Sequence, residues 1–132
     1  MSKAAELAAL IGSGQAQGNR NIIINGAMNV AQRNTSVSSL SSTATYSTCD
    51  RWMVQYGTAG TFTESQSSTA PDGFANSLKL DCTTADASPG YLLIIQNVEG
   101  QNVQQIKKGT SNALRTVMSF HVRSNKTGTY QV

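Results

Sequence analysis

The chain has 132 residues and a formal net charge of +3, a length that suits one domain with a modest core and is too short for two. Charged residues make up only 13% of it, about half the usual share, whereas Ser and Thr supply 30 residues and Asn and Gln 20 more. Because Ser, Thr and Asn side chains compete with helix hydrogen bonds, this composition favours strands and turns over helices.

The weak positive charge does not predict nucleic-acid binding, because the basic residues are scattered singly. The adjacent pair Lys107-Lys108 is typical of a solvated turn. The N-terminus does not resemble a signal peptide, because the apolar run from Leu7 to Ile11 is too short and Glu6 lies where a positive charge is expected. No stretch is apolar enough to span a membrane. We therefore expect no nucleic-acid partner and no membrane insertion. We also expect a protein that is made and kept in a cytoplasm or that leaves it by a route other than secretion.

The first 20 residues differ in pattern from the rest. Apolar side chains recur there at helical spacing, and a helix this short is marginal in water unless its apolar stripe packs on something. Glycines among Ser, Gln and Asn then predict a flexible linker over Ser13–Arg20. We expect residues 1–20 to form a docking helix with its linker, and residues 21–132 to form the main domain. The predicted docking residues are Ala4, Leu7, Leu10 and Ile11.

The next third of the chain predicts strands with one long loop. Three consecutive isoleucines predict a buried strand in residues 21–30, in which Asn25-Gly26 signals a turn or bulge. The stretch 34–48 is rich in Ser and Thr without periodicity and predicts a loop. Residues 51–55 predict a strand, residues 61–66 predict an exposed strand, and Pro71-Asp72-Gly73 predicts a turn.

The C-terminal half alternates more clearly. Residues 77–82 predict a strand with Leu78, Leu80 and Cys82 inward, then a loop over 83–90 and a β-rich run over 91–98. Residues 103–106 fit either a helical turn or a short strand. The clearest alternation is in Leu114–Val122, and Thr129–Val132 begins a further strand.

Strands separated by turn signals, with no helix of normal length between them, predict an antiparallel β-sandwich. The last predicted strand stops at Val132. Since the edges of a sandwich need partners, we expect a truncated sandwich, incomplete at its C-terminus, with an edge left open or completed by another chain.

The sequence predicts no catalytic, cofactor or metal site. His121 is the sole histidine and lies within a predicted strand, without a second ligand or base at useful spacing. Asp81 and Asp86 flank a Thr-rich loop and are more typical of solvated residues than of a calcium site. The cysteines, Cys49 and Cys82, are too few for a disulfide framework, and we expect partly buried thiols. We therefore expect a protein that is not an enzyme.

Asp50-Arg51-Trp52 is the most distinctive polar cluster, and it has two interpretations. Trp52 stacks on a sugar between polar neighbours, or it packs in the core while Asp50 and Arg51 pair with groups at the sandwich edge. We favour the core position, because Trp52 is the one tryptophan and a sandwich of this size needs a large core residue. If the domain binds glycans, the candidate platforms near loops are Trp52, Tyr56 and Tyr91.

Five segments together resemble a family of virion structural proteins from tailed phages, notably phages of marine bacteria, that are described as tail-fibre-like. The segments are NIIINGAMNVAQR (21–33), CDRW (49–52), PDGFANSLKLDCTTAD (71–86), IQNVEGQNVQQIKKGTSNA (95–113) and SFHVRSNKTGTY (119–130). The N-terminal SKAAELAALIG is similar to the opening of some members. More loosely, the order of elements resembles that of jelly-roll carbohydrate-binding modules, which is an analogy of fold alone.

The resemblance implies a non-enzymatic tail-fibre or fibre-adaptor module, located in the virion tail and assembled in the host cytoplasm. It also implies a homotrimer that contacts other tail proteins and supports host attachment. Two alternatives stay open. One is a head decoration or head-fibre protein, and the other is a carbohydrate-binding module that contacts host surface glycans.

Overall fold

A computed structural model of the chain describes residues 2–12 and 21–132. One helix, α1 (Lys3–Gly12), precedes six strands and two single-turn 3-10 helices. The strands are β1 (Ser36–Leu40), β2 (Ala44–Thr45), β3 (Met53–Gly57), β4 (Gly60–Ser67), β5 (Ser77–Ala85) and β6 (Tyr91–Ile95). The 3-10 helices span Gly100–Asn102 and Gln104–Ile106. The linker predicted over Ser13–Arg20 lies outside the described residues.

The strands form two three-stranded antiparallel sheets, with orders β1-β4-β5 and β2-β3-β6. The prediction of a mainly β, antiparallel protein with a short N-terminal helix is therefore confirmed. The chain passes from one sheet to the other at a two-residue corner between β3 and β4. Gly60 ends this corner with φ +104°, and a Cβ there would lie 2.3 Å from the carbonyl oxygen of Thr84. Only glycine fits both constraints.

A second glycine shapes the other sheet. Gly57 at the end of β3 is paired with Tyr91 at the start of β6, and a Cβ on Gly57 would lie 2.4 Å from the tyrosine ring. The ring therefore lies across the bare backbone, and its hydroxyl accepts a hydrogen bond of 3.1 Å from Gln55 Nε2. An aromatic side chain that covers a strand glycine in this way stabilises the pairing.

The apolar core is small. Alternation along β3 turns Val54 and Tyr56 inward, where 0% and 2% of their surfaces are exposed. Cys49 and Ile106 are the other buried apolar residues of the described chain. Tyr56 reaches the opposite sheet, where its ring lies 5.4 Å from that of Phe62 on β4, centroid to centroid. The two sheets thus contact each other through the inner faces of β3 and β4.

A buried acidic side chain lies at this contact. Glu64 on β4 has no exposed surface, and its carboxyl group accepts hydrogen bonds from Thr48 Oγ1 at 2.6 Å and from the Tyr56 hydroxyl at 3.3 Å. Both donors belong to the other sheet or to the segment that leads into it. The strand predicted over residues 61–66 is therefore present, but the prediction that it is exposed is wrong. β4 is the central strand of its sheet, with Glu64 buried and its other residues half-buried.

Other predicted elements also differ. Residues 21–30 form no strand but a turn, and residues 34–48, predicted as a loop, contain β1 and β2. Serine and threonine pair there as strands because β1 gains a neighbour in β4 and β2 in β3. β5 continues through the predicted loop to Ala85, and Cys82 is exposed rather than inward.

The two C-terminal strands that the sequence predicts are absent from the sheets. Residues 114–132 are exposed, and in the described chain they pair with no strand of either sheet. The alternation in Leu114–Val122 reports a preference for extended backbone, and the preference becomes a strand only where a partner supplies hydrogen bonds. The open edge expected at Thr129–Val132 is for the same reason not part of a sheet.

We expect Tyr56→Phe to lower the free energy of unfolding by about 1–3 kcal/mol, because Glu64 then keeps one buried hydrogen-bond partner instead of two. Urea denaturation measures the change. Tyr46→Phe is the matched control, since its hydroxyl bonds Asn97 in an exposed position. Equal effects of the two substitutions would contradict a special role for the buried contact.

Burial, with a smaller effect of the nearby Glu64 carboxylate, raises the pKa of Tyr56 above its ordinary value. The folded state therefore favours the neutral phenol, so this stabilisation is complete below about pH 10 and is lost as the pH rises further. We expect the stability gap between wild type and Tyr56→Phe to be constant at neutral pH and to shrink above about pH 10. A gap that widens there would show that the hydroxyl is not buried as described.

Candidate functional site

The segment that the sequence predicts as the first strand is a turn built around Asn25. Asn25 has φ 53°, the left-handed conformation that asparagine adopts more readily than most residues. Its Nδ2 donates to the carbonyls of Val30 and Asp50, both at 2.9 Å, and its Oδ1 accepts from the Val30 amide at 3.1 Å. These bonds replace the backbone hydrogen bonds that a strand would receive from a neighbouring strand. They also attach the turn to Asp50.

A glutamine side chain holds the isoleucines of the same segment. Gln96, just after β6, accepts from the Ile24 amide at 2.8 Å through Oε1 and donates to the Ile24 carbonyl at 2.7 Å through Nε2. The side-chain amide thus makes both hydrogen bonds that a neighbouring strand would offer Ile24. The N-terminal turn is attached to the β2-β3-β6 sheet by this pair of bonds.

The same turn positions the Asp50-Arg51-Trp52 cluster. Trp52 is half-buried, and its Nε1 donates to the Asn25 carbonyl at 2.9 Å. Asp50 accepts from the Gln32 amide at 3.1 Å. Arg51 pairs with Glu99 at 3.2 Å. Trp52 is therefore half-buried rather than a core residue as we expected, whereas Asp50 and Arg51 do pair with other groups of the chain.

A polar cleft of about 480 Å³ opens beside this cluster. Its charges balance, with two arginines against two carboxylates. Arg33 stacks over the Tyr46 ring at 5.7 Å and donates to the Tyr46 carbonyl at 2.9 Å. Asn97 donates to the Tyr46 hydroxyl at 3.0 Å. The lining residues are Gln32, Arg33, Tyr46, Asp50, Arg51, Asn97, Val98 and Glu99.

Glu99, one of the residues that line this cleft, is held ionised. Hydrogen bonds from Gln101 and then Arg51, together with the positive charge of Arg51, lower the pKa of its carboxyl group. The cleft therefore presents fixed donors and acceptors with no net charge, an arrangement that suits a neutral polyhydroxylated ligand better than a strongly charged one. Sequence reasoning missed most of it, because Arg33, Tyr46 and Asn97 are distant along the chain and carry no motif.

The three predicted glycan platforms lie in different environments. Tyr56 is buried between the sheets, with 2% of its surface exposed, so no ring can stack on it and its prediction as a glycan contact is wrong. Trp52 is half-buried and its indole N–H is occupied. Tyr91 is 51% exposed, but one side of its ring covers Gly57. None of the three lines the polar cleft.

The predicted docking helix is exposed. Ser2 accepts hydrogen bonds at the start of α1 through its carbonyl and side-chain oxygens, and every side chain from Ser2 to Ala9 is exposed, including Ala4. Leu7 leaves 57% of its surface uncovered. The side chains of Leu10 and Ile11 lie outside the described part of the chain. The only helix of normal pitch within the described residues, α1, is too short to cross a membrane.

The cysteine and histidine residues form no reactive cluster in the described chain. Burial raises the pKa of the Cys49 thiol, which favours its neutral form, and Cys82 is exposed and free. His121 lies edge-on to Phe74, with the ring centroids 5.7 Å apart. No group of three or more metal-ligating side chains occurs among residues 2–9 and 21–132.

No protein-family model matches the sequence, and no curated protein or solved structure matches it either. The function of the chain must therefore be argued from three surfaces: the exposed helix α1, the polar cleft and the exposed C-terminal segment.

We expect Asn25→Ala to lower the free energy of unfolding by about 2–4 kcal/mol, because three hydrogen bonds of the turn are lost and alanine tolerates the left-handed backbone poorly. Asn21→Ala is the control, since Asn21 makes one exposed hydrogen bond to Ile23. Asn25→Gly separates the two causes, because glycine keeps the backbone and loses the bonds. Trp52 fluorescence during urea unfolding follows the site directly, and an unchanged midpoint in Asn25→Ala would contradict the role of this turn.

Proposed function

We propose that this chain is a virion structural protein of a tailed phage, a tail-fibre or fibre-adaptor module that docks on other tail proteins through α1. In this proposal its two sheets belong to a jelly-roll-like sandwich, and three copies assemble. The five segments that resemble tail-fibre-like virion proteins support the proposal, as do the sheets that the chain forms.

The observation that carries the proposal is the exposure of α1. A helix of 10 residues is marginal in water, and Leu7 is 57% exposed on it. Burial of each leucine against a partner contributes about 1.5–3 kcal/mol, and several copies on one particle strengthen attachment through avidity. An exposed short amphipathic helix is thus explained if its partner is another virion subunit.

The test adds charge to the apolar stripe. We expect Leu7→Asp with Leu10→Asp to leave the sheets folded and to remove this chain from purified particles. The matched control is Ala5→Asp with Ala9→Asp, which adds the same charge on the opposite side of α1. Circular dichroism checks the fold, and mass spectrometry of particles measures occupancy. Wild-type occupancy of the double leucine variant would place the anchor elsewhere, and a location in the head would favour the head-fibre alternative.

The polar cleft favours a second candidate function, glycan contact during host attachment. Its neutral set of donors and acceptors beside Tyr46 is chemically suited to sugar hydroxyls. We expect any saturable glycan binding to fall about tenfold or more in Asn97→Ala, which removes an amide from the cleft. Binding should persist in Tyr91→Ala, whose ring lies outside the cleft. Binding that is lost in Tyr91→Ala and kept in Asn97→Ala would locate the glycan at β6 instead.

A further inference from the structure

The C-terminal segment Leu114–Val122 has the sequence pattern of a strand but belongs to no sheet of the described chain. Its nine residues alternate, and its start is held by a hydrogen bond of 2.8 Å from the Leu114 amide to the Ile106 carbonyl. From residue 115 to residue 132, the backbone makes no backbone hydrogen bond to any other described residue. One face carries Leu114, Met118, Phe120 and Val122, which are 55%, 59%, 58% and 70% exposed.

The described sheets end in four edge strands, of which one matches this segment in length. β2 has two residues, and β1 and β6 have five each. The register of β1 against β4 is also irregular. β5 has nine residues and pairs with β4 on one side only. A long unpaired edge is a template for a further strand.

The side chains of β5 alternate between an inner and an outer face, as those of Leu114–Val122 do in the sequence pattern. Leu78 and Leu80 are half-buried on its inner face, whereas Lys79 and Asp81 are exposed on the outer face. If Leu114–Val122 is added beside β5, its Met118 and Phe120 continue the face of Leu78 and Leu80. Because side chains alternate strictly, a shift by one residue would turn the aromatic ring outward.

The surroundings of the two strands carry opposite charge, although the strands themselves differ by one charge only, since Arg115 gives Leu114–Val122 a charge of +1 and Lys79 balances Asp81 within β5. Residues 114–132 contain Arg115, Arg123 and Lys126 and no acidic residue, which gives +3. Residues 72–86 contain one basic and three acidic residues (Lys79 against Asp72, Asp81 and Asp86), which gives 1 − 3 = −2. Opposite charges on donor and acceptor favour their encounter and disfavour pairing of two like edges.

We propose that Leu114–Val122 of one copy adds as a strand to the free edge of β5 in a second copy. Each copy then holds a donor and an acceptor, so the copies exchange strands reciprocally in a closed dimer, close into a larger ring or extend as a filament. Strand addition does not depend on the virion assignment. A closed ring of three copies is the form expected if the proposed fibre function is also correct.

The first test measures association of the full chain. Sedimentation equilibrium of the wild type should show an oligomer, and Phe120→Asp should raise its dissociation constant at least about tenfold, as loss of a central aromatic contact does. Phe120 is exposed in one copy, so the fold of the monomer should persist by circular dichroism. Ser119→Asp is the matched control, because it places the same charge on the other face, and it should associate like the wild type.

The second test uses the exposed thiol of Cys82 on β5. In the added strand, cysteines placed at Thr116 or Met118 would lie on the same face of the sheet as Cys82. Cysteines placed at Val117 or Ser119 would lie on the opposite face. Side chains opposite each other on neighbouring strands lie about 4.5–5.5 Å apart at Cβ, close enough for a disulfide after small adjustments. Mild oxidation should therefore crosslink two chains in Thr116→Cys and Met118→Cys, and little in Val117→Cys and Ser119→Cys. Adding Cys82→Ser should abolish the crosslink.

Four outcomes would overturn the proposal. The first is a wild type that is monomeric at every concentration, and the second is a Phe120→Asp variant that associates as tightly as the wild type. The third is crosslinking to Cys82 that is as efficient from residues 117 and 119 as from residues 116 and 118. The fourth is a crosslink within one chain. The last would show that the segment pairs with its own β5. The fibre proposal fails by a different result. In that case purified protein would still associate by strand addition, but phage particles would not contain the chain.

Discussion

The carboxyl group of Glu64 lies between the two sheets, and the packing of the domain depends on how it is satisfied. A buried acidic group that lacks partners costs several kcal/mol, so Thr48 and Tyr56 must both point at it. Those two donors fix the distance between β4 and the segment around β3. The sheets are therefore held at one relative position by directional bonds, whereas an apolar contact alone would let them slide.

A polar centre leaves little room for apolar burial, and this has consequences at the surface. The buried apolar residues of the described chain are Cys49, Val54, Tyr56 and Ile106. Much of the apolar surface therefore lies outside, on β6, on α1 and along the C-terminal segment, where Val117 is 89% exposed. Exposed apolar surface on this scale is typical of a protein that buries it against partners. The small core and the exposed apolar surface thus have one origin.

The sequence pattern predicted β3, β4, β5 and β6 nearly at their observed positions, because those strands carry the pattern in their own residues. β1 and β2 were missed since Ser- and Thr-rich stretches become strands only through the neighbours β4 and β3. The burial of Glu64 was missed for a related reason. A glutamate among Ser, Thr and Gln reads as a solvated residue, and nothing local indicates donors 16 and 8 residues away.

The strands predicted over residues 21–30 and 114–122 are both absent, and the two wrong predictions have opposite causes. Three isoleucines predicted a first strand, but Asn25 satisfies the backbone of its turn with its own side chain, and Gln96 supplies the two bonds at Ile24. That segment needs no sheet. Leu114–Val122 has the better strand pattern and no such side-chain partners, so its backbone groups stay open. Backbone hydrogen bonds must be satisfied wherever a segment is buried, and a strand-like sequence that is left exposed can bury its apolar face only if another strand pairs with it. The same requirement therefore separates the isoleucine segment, whose backbone bonds are met within its turn, from the C-terminal segment, whose backbone groups are still open to a neighbouring strand.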